Sequence, residues 1–344
     1  MKIFFVVPYH TGDPCVKYRS LWISRGLNPL GVKTKVQLLE RTLPKELDDS
    51  NIVVFQRVTT EFFHKTPNGN NKSEIINQLF TRARKQGKII GWDLDDYLGF
   101  PDGIEGYRDL ADLNIKYIKK CDYFTATTQK FVDKVRQYNP NSFLIQNSID
   151  MGLFGKKKTD FNNTNPVIGW TAGSNHGVDE DIFIKVAKLA EKDKLRASFQ
   201  LVGKVVQKKN KPIFASLRNC KTVNPVKHDN LPKLLKTFDI NFCPLTNVFI
   251  NQISKSEVKY LEGAACGLPT VASRTGAFAA TVKDGVTGIL GSDPGELYLG
   301  IRKLVKNIEL RRKMGEAAYN EVAAHHSNRV RAKQYLNFIK GLRK

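Results

Sequence analysis

The chain has 344 residues, of which 41% are hydrophobic, 26% charged and 10% aromatic; this is enough apolar mass for two α/β cores and excludes a disordered polymer. Lysine and arginine number 55 against 33 aspartates and glutamates, a formal net charge of +22, which draws polyanions or anionic surfaces to the protein and carries no information about fold. No apolar run approaches the roughly 18 residues of a membrane span, and five scattered cysteines without CxxC spacing indicate neither a disulfide framework nor a zinc site.

The first segment, Lys2 to Pro8, is too short for a signal peptide and reads as a buried strand, so the expectation is a cytoplasmic protein, with a peripheral position at the inner membrane face as its second address. Short β-branched and aromatic runs then alternate with helical patterns, the mark of parallel sheets with crossover helices. The first half predicts strands at 3–7, 34–38, 52–55, 88–92, 123–126 and 143–146. Its helices are expected at 18–27, 74–86, 110–120 and 129–138.

Residues 155–166 are polar, lack periodicity and end in Pro166, the signature of a linker. A second α/β series follows, with strands at 167–170, 199–202, 240–243, 270–272 and 288–290, and the segment from Pro294 onward is helical by pattern. The expected organisation is one α/β domain over 1–154, a linker over 155–166, a second α/β domain over 167–325, and a helix over 326–344 packing back on the first domain. Basic clusters lie in both halves, at 82–88, 156–158, 208–211 and 311–313, and each by itself reads as a solvated face.

The most informative stretch runs from Lys255 to Ser273. Its middle reads as a helix of small residues ended by Gly267, after which Leu268-Pro269 leads into a short strand. A helix opening with Ser256 and the ammonium groups of Lys255 and Lys259, at the carboxyl edge of a parallel sheet, makes a diphosphate cradle. Glu262, one to two turns in, is placed to accept hydrogen bonds from ribose hydroxyls.

Residues 255–273, together with Ser273-Arg274-Thr275-Gly276 and the segment 282–290, resemble the donor-binding half of retaining GT-B glycosyltransferases of glycosyltransferase family 4. The resemblance is strong over 165–320 and diffuse before it, where Asn147-Ser148-Ile149-Asp150 matches the end of the first domain. It implies an α/β GT-B fold of two Rossmann-like domains, with parallel sheets facing across a cleft and a C-terminal helical segment. In such enzymes the glutamate before the Ala-Cys-Gly-x-Pro turn binds the nucleotide ribose, and Glu262 holds that position. A second glutamate, eight residues earlier, is replaced here by Ser254, and Glu257 stands out of register. The usual Arg and Lys after the second domain's first strand are absent from Gly169-Trp170-Thr171-Ala172-Gly173-Ser174-Asn175-His176.

The backbone at Gly173 and Ser174, and Lys204 after Val202-Gly203, then stand in as phosphate contacts. His176 is the titratable group of its loop and a catalytic candidate, with helix capping its plain alternative. In the first half, Asp93, Asp95 and Asp96 follow a hydrophobic strand; they read as acceptor contacts or base, with metal binding, as in a single-domain transferase fold, and capping as alternatives. Gly12 in the loop after the first strand, together with His10, Tyr18, Arg19 and Arg57, completes the candidate donor, phosphate and acceptor contacts.

What the resemblance implies is transfer from a nucleotide-sugar, UDP-linked first and GDP- or ADP-linked as alternatives, with retention and with no metal or other cofactor. The acceptor is expected to be a polyanion or to lie at an anionic membrane surface: a membrane or envelope glycan or lipid-linked saccharide first, hydroxymethylated duplex DNA second. From another class comes a nucleic-acid-binding protein on the same scaffold, suggested by the charge and by Phe62-Phe63-His64-Lys65. An epimerase or phosphorylase on the same architecture stands third.

Overall fold

The computed structural model describes residues 1–61, 72–97, 99–103, 110–155, 158, 160–172, 177–205 and 207–342. Two contact units share the chain: Met1–Ser148, Ile253–Ser256 and Asn328–Lys344 form the first, Ile149–Gln252 and Glu257–Ser327 the second. Phe62 to Lys65 and the loop residues Gly173, Ser174, Asn175 and His176 lie outside the described residues.

The first unit is built on a sheet of six strands, β1 (Lys2–Val7), β2 (Lys33–Leu38), β3 (Ile52–Gln56), β4 (Ile89–Leu94), β5 (Tyr123–Ala126) and β6 (Ser142–Leu144). Their spatial order is β2-β1-β3-β4-β5-β6 and every neighbouring pair is parallel. β1 and β3 are unbroken apolar runs because helices cover both faces of a parallel sheet. β2, Lys-Thr-Lys-Val-Gln-Leu, is mostly polar because it is an edge.

Asp13 caps the helical segment that follows β1, accepting the Cys15 N–H at 2.8 Å, with Pro14 at the first helical position. The helix widens to a π-helical turn over Lys17–Leu21 before continuing as Trp22–Leu27. The last helix, Asn328–Gly341, packs against Trp22–Leu27. Gly26 permits the approach, since a Cβ there would lie 2.4 Å from the Asn328 carbonyl oxygen. Ala332, Tyr335, Leu336 and Ile339 thereby join Ile3, Phe5 and Val54 in one core, and the Tyr335 and Tyr123 hydroxyls meet at 2.8 Å.

The second unit repeats the plan with β7 (Val167–Thr171), β8 (Ser198–Val202), β9 (Cys220–Val223), β10 (Ile240–Cys243), β11 (Thr270–Ser273) and β12 (Gly288–Gly291). The order is β12-β11-β10-β7-β8-β9, again parallel throughout, which is the dinucleotide-fold order with its reversal between β7 and β10. Its core gathers Ile168, Trp170, Phe183, Phe199, Phe242 and Ile301. β9 is absent from the sequence reading: it is an edge strand whose Lys221 and Thr222 are exposed, so it carries no apolar run.

Two basic clusters depart from the solvated-face reading. Arg311 is buried, donating to the Leu304 and Val305 carbonyls at 2.7 and 2.8 Å, and so satisfies the end of helix Pro294–Lys306. Lys158, in the polar segment read as a linker, donates to the Phe238 carbonyl at 2.9 Å and pairs with buried Asp239 at 2.8 Å. Both residues use their charge on carbonyls or carboxylates inside the unit.

Helix Ile308–His325 approaches the Gly267 turn so closely that a Cβ at Gly315 would stand 2.2 Å from the Gly267 carbonyl oxygen. Backbone atoms on one side cannot yield as a side-chain tip does. Gly315→Ala is therefore expected to destabilise the second unit by about 1 to 3 kcal/mol, as overpacking does. Urea unfolding followed through Trp170 fluorescence checks this, and an unchanged midpoint would refute it.

Candidate functional site

In open α/β sheets ligands gather at the carboxyl edge where strand order reverses. In the first unit that point lies between β1 and β3. Arg57, the residue after β3, takes a left-handed backbone (φ 48) although it is not glycine, a conformation that costs energy and clusters at functional positions. Its amide donates to the Asp93 carbonyl at 2.8 Å, and its buried guanidinium donates to both Asp95 oxygens at 3.0 Å and to Asp96 at 3.3 Å. Lys255 reaches the other Asp96 oxygen at 3.4 Å.

Burial opposes the Arg57 charge, but Asp95 and Asp96 outweigh it and hold the guanidinium protonated well above its ordinary range. The same burial, with Asp95 next, pushes the neighbouring Cys15 thiol far up, so this cysteine is not a thiolate nucleophile.

Asp93 and Asp95, spaced like a metal-binding pair, turn to different partners. Asp93 receives Arg19 in a two-pronged pair (3.1 and 2.5 Å) and the Thr125 hydroxyl at 2.6 Å, while Arg19 also donates to the Ile145 carbonyl. Arg19 is 3% exposed and Asp93 6%, so the π-helical turn aims Arg19 into the unit's interior. Among the described residues no group of three or more His, Cys, Asp or Glu side chains is set to hold a metal ion.

The other first-unit candidates sit more openly. The exposed His10 accepts the Gly12 N–H at 3.0 Å through Nδ1, closing the turn after β1. Tyr18 is buried edge-on against Trp22 at 4.8 Å, and its carbonyl accepts the Ser148 hydroxyl at 2.9 Å.

Lys255 and Ser256 do not open the glutamate-bearing helix as the sequence suggests. One short helix ends at Ser254 and the next, Val258–Ala265, begins after Glu257, leaving Lys255 and Ser256 in the break between them. The Ser256 hydroxyl accepts from the Asn147 amide at 2.8 Å instead of capping a helix. Glu257 precedes the helix and is fully buried.

In the second unit Glu262 lies on helix Val258–Ala265, 1% exposed. Lys259 donates to its Oε2 at 3.1 Å and His228 Nε2 stands 3.8 Å from Oε1. The Lys259 side chain keeps about a quarter of its surface exposed, so the buried carboxylate is matched by a cation that reaches solvent. Lys204 is exposed after Gly203 at the end of β8.

Several residues that the sequence reading left without a role shape this edge. Asp179 accepts from the Thr246 amide and hydroxyl at 2.7 and 2.9 Å, tying the start of helix Glu180–Lys192 to the loop after β10. Ser273 accepts from the Leu245 amide at 2.9 Å, and Thr275 donates to Asn247 at 2.7 Å. A cavity of about 270 Å³ opens there, at the carboxyl ends of β10, β11 and β12, with Asn247, Ser273, Arg274, Thr275, Ser292 and Asp293 among its lining residues. The detectable signal was position alone: polar residues directly following a predicted strand.

Residues 183–337 match a family model described as glycosyl transferase-like. An uncharacterised glycosyltransferase of Methanocaldococcus jannaschii is 27% identical over 263 residues, covering 68% of this chain and 72% of its own. Among solved structures, HepE of Anabaena in complex with UDP-glucose superposes with a TM-score of 0.72 at 14% identity, covering 99% of this chain and all of its own. S. aureus TarM, solved with UDP, alpha-GlcNAc-glycerol and fondaparinux, superposes with a TM-score of 0.64 at 17% identity over 86% of this chain and 57% of TarM.

Proposed function

Because the chain is a nucleotide-sugar-dependent glycosyltransferase of the GT-B fold, similar to glycosyltransferase family 4, we propose that it draws on a UDP-sugar, binds the ribose at Glu262 and transfers the sugar with retention. The acceptor in this reading is a hydroxyl of a membrane or envelope glycan or of a lipid-linked saccharide. The observation that carries it is Glu262 itself: a buried carboxylate held by Lys259 on a helix of the dinucleotide-fold unit, inside the stretch matched by the family model. HepE with UDP-glucose and TarM with UDP support uridine as the base.

In the reaction, the bond from the anomeric carbon to the diphosphate oxygen breaks and one to the acceptor oxygen forms. The acceptor proton leaves with the diphosphate. The protein's part is to position the two oxygens and to stabilise the charge gathering on the leaving group. Lys259, partly exposed beside Glu262, and the exposed Lys204 supply positive charge from the second unit. Asp95 and Asp96, paired with Arg57 and Lys255 at the first unit's edge, are the carboxylates placed to accept hydrogen bonds from acceptor hydroxyls.

The test is a panel of UDP-, GDP- and ADP-sugars incubated with the full chain, with nucleotide diphosphate release measured. Slow hydrolysis of one or more UDP-sugars, at least about tenfold above the other nucleotides, is the expected result. A donor site blind to all three nucleotides would overturn the proposal, and preference for GDP or ADP would overturn its base assignment. Sugar appearing on hydroxymethylated duplex DNA but on no lipid-linked acceptor would replace the acceptor reading.

A further inference from the structure

β3, β4 and β5 are adjacent and parallel, so right-handed crossovers set their two connecting helices, Lys72–Lys85 and Ala111–Lys120, side by side on one face of the first sheet. Between them lies a recess of about 350 Å³. Phe80 and Tyr117 form its floor, their ring centres 5.2 Å apart. Four cations, Arg84, Lys85, Lys116 and Lys120, stand among its lining residues, and among the described residues no carboxylate lines it.

Arg84 is partly neutralised by Asp122 at 2.8 Å. Among the described residues no carboxylate lies within ion-pair distance of Lys85, Lys116 or Lys120, all of which are exposed. Like charges crowded round one recess repel one another, and an anion seated among them relieves the repulsion.

The floor decides what kind of anion. Tyr117 is stacked on Trp92 at 5.0 Å, and Tyr117 and Phe80 are only 2% and 6% exposed. No ring offers an open face, which nucleic-acid bases need for stacking. What covers the rings is side-chain stems: the Arg84 guanidinium lies over the Phe80 ring at 5.9 Å and the Lys116 ammonium over the Tyr117 ring at 5.6 Å, so the base of the cationic rim presents aliphatic stems, a surface suited to methylene groups.

We propose that this recess is a seat for the phosphate head group of an anionic phospholipid, with the ammonium groups on the phosphate and the glycerol and first methylenes on the aliphatic stems that cover Phe80 and Tyr117. The seat docks the first unit on an anionic bilayer. The proposal extends the acceptor reading and is independent of the donor assignment, because no residue of the recess is placed in donor binding.

The experiment is flotation of the full chain with vesicles of phosphatidylcholine alone and of phosphatidylcholine containing phosphatidic acid, at several salt concentrations. The comparison pair is Lys116→Glu with Lys120→Glu against Lys303→Glu with Lys306→Glu, which makes the same change in net charge on exposed residues of helix Pro294–Lys306. Two neutralised lysines at a bilayer surface are worth about thirtyfold in partitioning, so the recess pair is expected to lose at least that much and the control pair a small part of it. Thr81→Trp, which fills the recess without changing charge, should also weaken binding to phosphatidic acid vesicles. UDP-sugar hydrolysis should persist in every variant, which separates failure of this proposal from failure of the donor reading.

Equal losses in the recess and control pairs would overturn the seat and leave only overall charge. Binding of a single-stranded oligonucleotide that is lost with the recess pair, while vesicle binding is kept, would assign the recess to nucleic acid instead. Saturation of the recess by inorganic phosphate with no vesicle binding would show a free-anion site and overturn the bilayer role.

Discussion

Glu262→Ala is expected to weaken UDP-sugar binding by roughly ten- to a hundredfold, because hydrogen bonds to a charged acceptor are each worth roughly 1.5 to 3 kcal/mol. The carboxylate is buried, so its loss leaves no water-exposed substitute in place. Folding should suffer little by comparison. Lys259, the cation that Glu262 holds, has about a quarter of its side chain exposed and turns to solvent when its partner is gone. Titration calorimetry with UDP, alongside thermal unfolding, separates the two effects.

Glu262→Gln sharpens the test, since it keeps the shape and one acceptor while removing the charge. A ribose contact predicts intermediate affinity for Gln and the weakest for Ala. If instead Glu262 acts only by orienting Lys259, then Lys259→Ala should reproduce the full loss and Glu262→Gln should match Glu262→Ala. Unchanged UDP affinity in a folded Glu262→Ala protein would remove this residue from the site.

Asp93→Ala is expected to destabilise the first unit by about 3 to 5 kcal/mol, the range found when one partner of a buried ion pair is removed and its charge is left behind. Arg19 would then sit 3% exposed without the two carboxylate oxygens that match its fork. The Thr125 hydroxyl would lose its acceptor as well. Chemical unfolding followed through Trp22 and Trp92, both in the first unit, reads this directly, while Trp170 reports the second unit and should not move. A stable Asp93→Ala or Asp93→Asn protein that binds donor yet transfers no sugar would mark Asp93 as a catalytic residue and refute the structural role.

The architecture was readable because parallel sheets write themselves as unbroken apolar runs. Ile3 to Val7 and Ile52 to Phe55 are such runs, and two series of them gave two sheets. The edge strand Cys220–Val223 escaped for the opposite reason, its outward residues being polar. The break at Lys255-Ser256 escaped because residues 249–265 carry helical propensity on both sides of it, and only the three-dimensional partners of Lys255 and Ser256, Asp96 and Asn147, explain why the helix stops and restarts. Burial of a charge was equally invisible. In sequence Lys158 and Arg311 look like the solvated cations around them, and Arg19 and Arg57 like open phosphate or acceptor contacts, yet each pairs with groups far away along the chain. The left-handed backbone at Arg57 has no sequence signal at all, since that conformation usually announces itself with glycine or asparagine.

The sharing of the chain between the two units has a consequence for biosynthesis. Domains usually mature in the order in which the ribosome releases them. Here the unit that starts at Met1 lacks Ala332, Tyr335, Leu336 and Ile339 until the segment Asn328–Lys344 has emerged, while every residue of the second unit is already made by Ser327. The nascent first unit thus waits through most of translation with the apolar faces of Ile3, Phe5 and Ile23 short of their last covering helix, an interval in which chaperones have a substrate. A premature stop between Ser327 and Ala332 would leave the later-made unit whole and the earlier-made one unfinished.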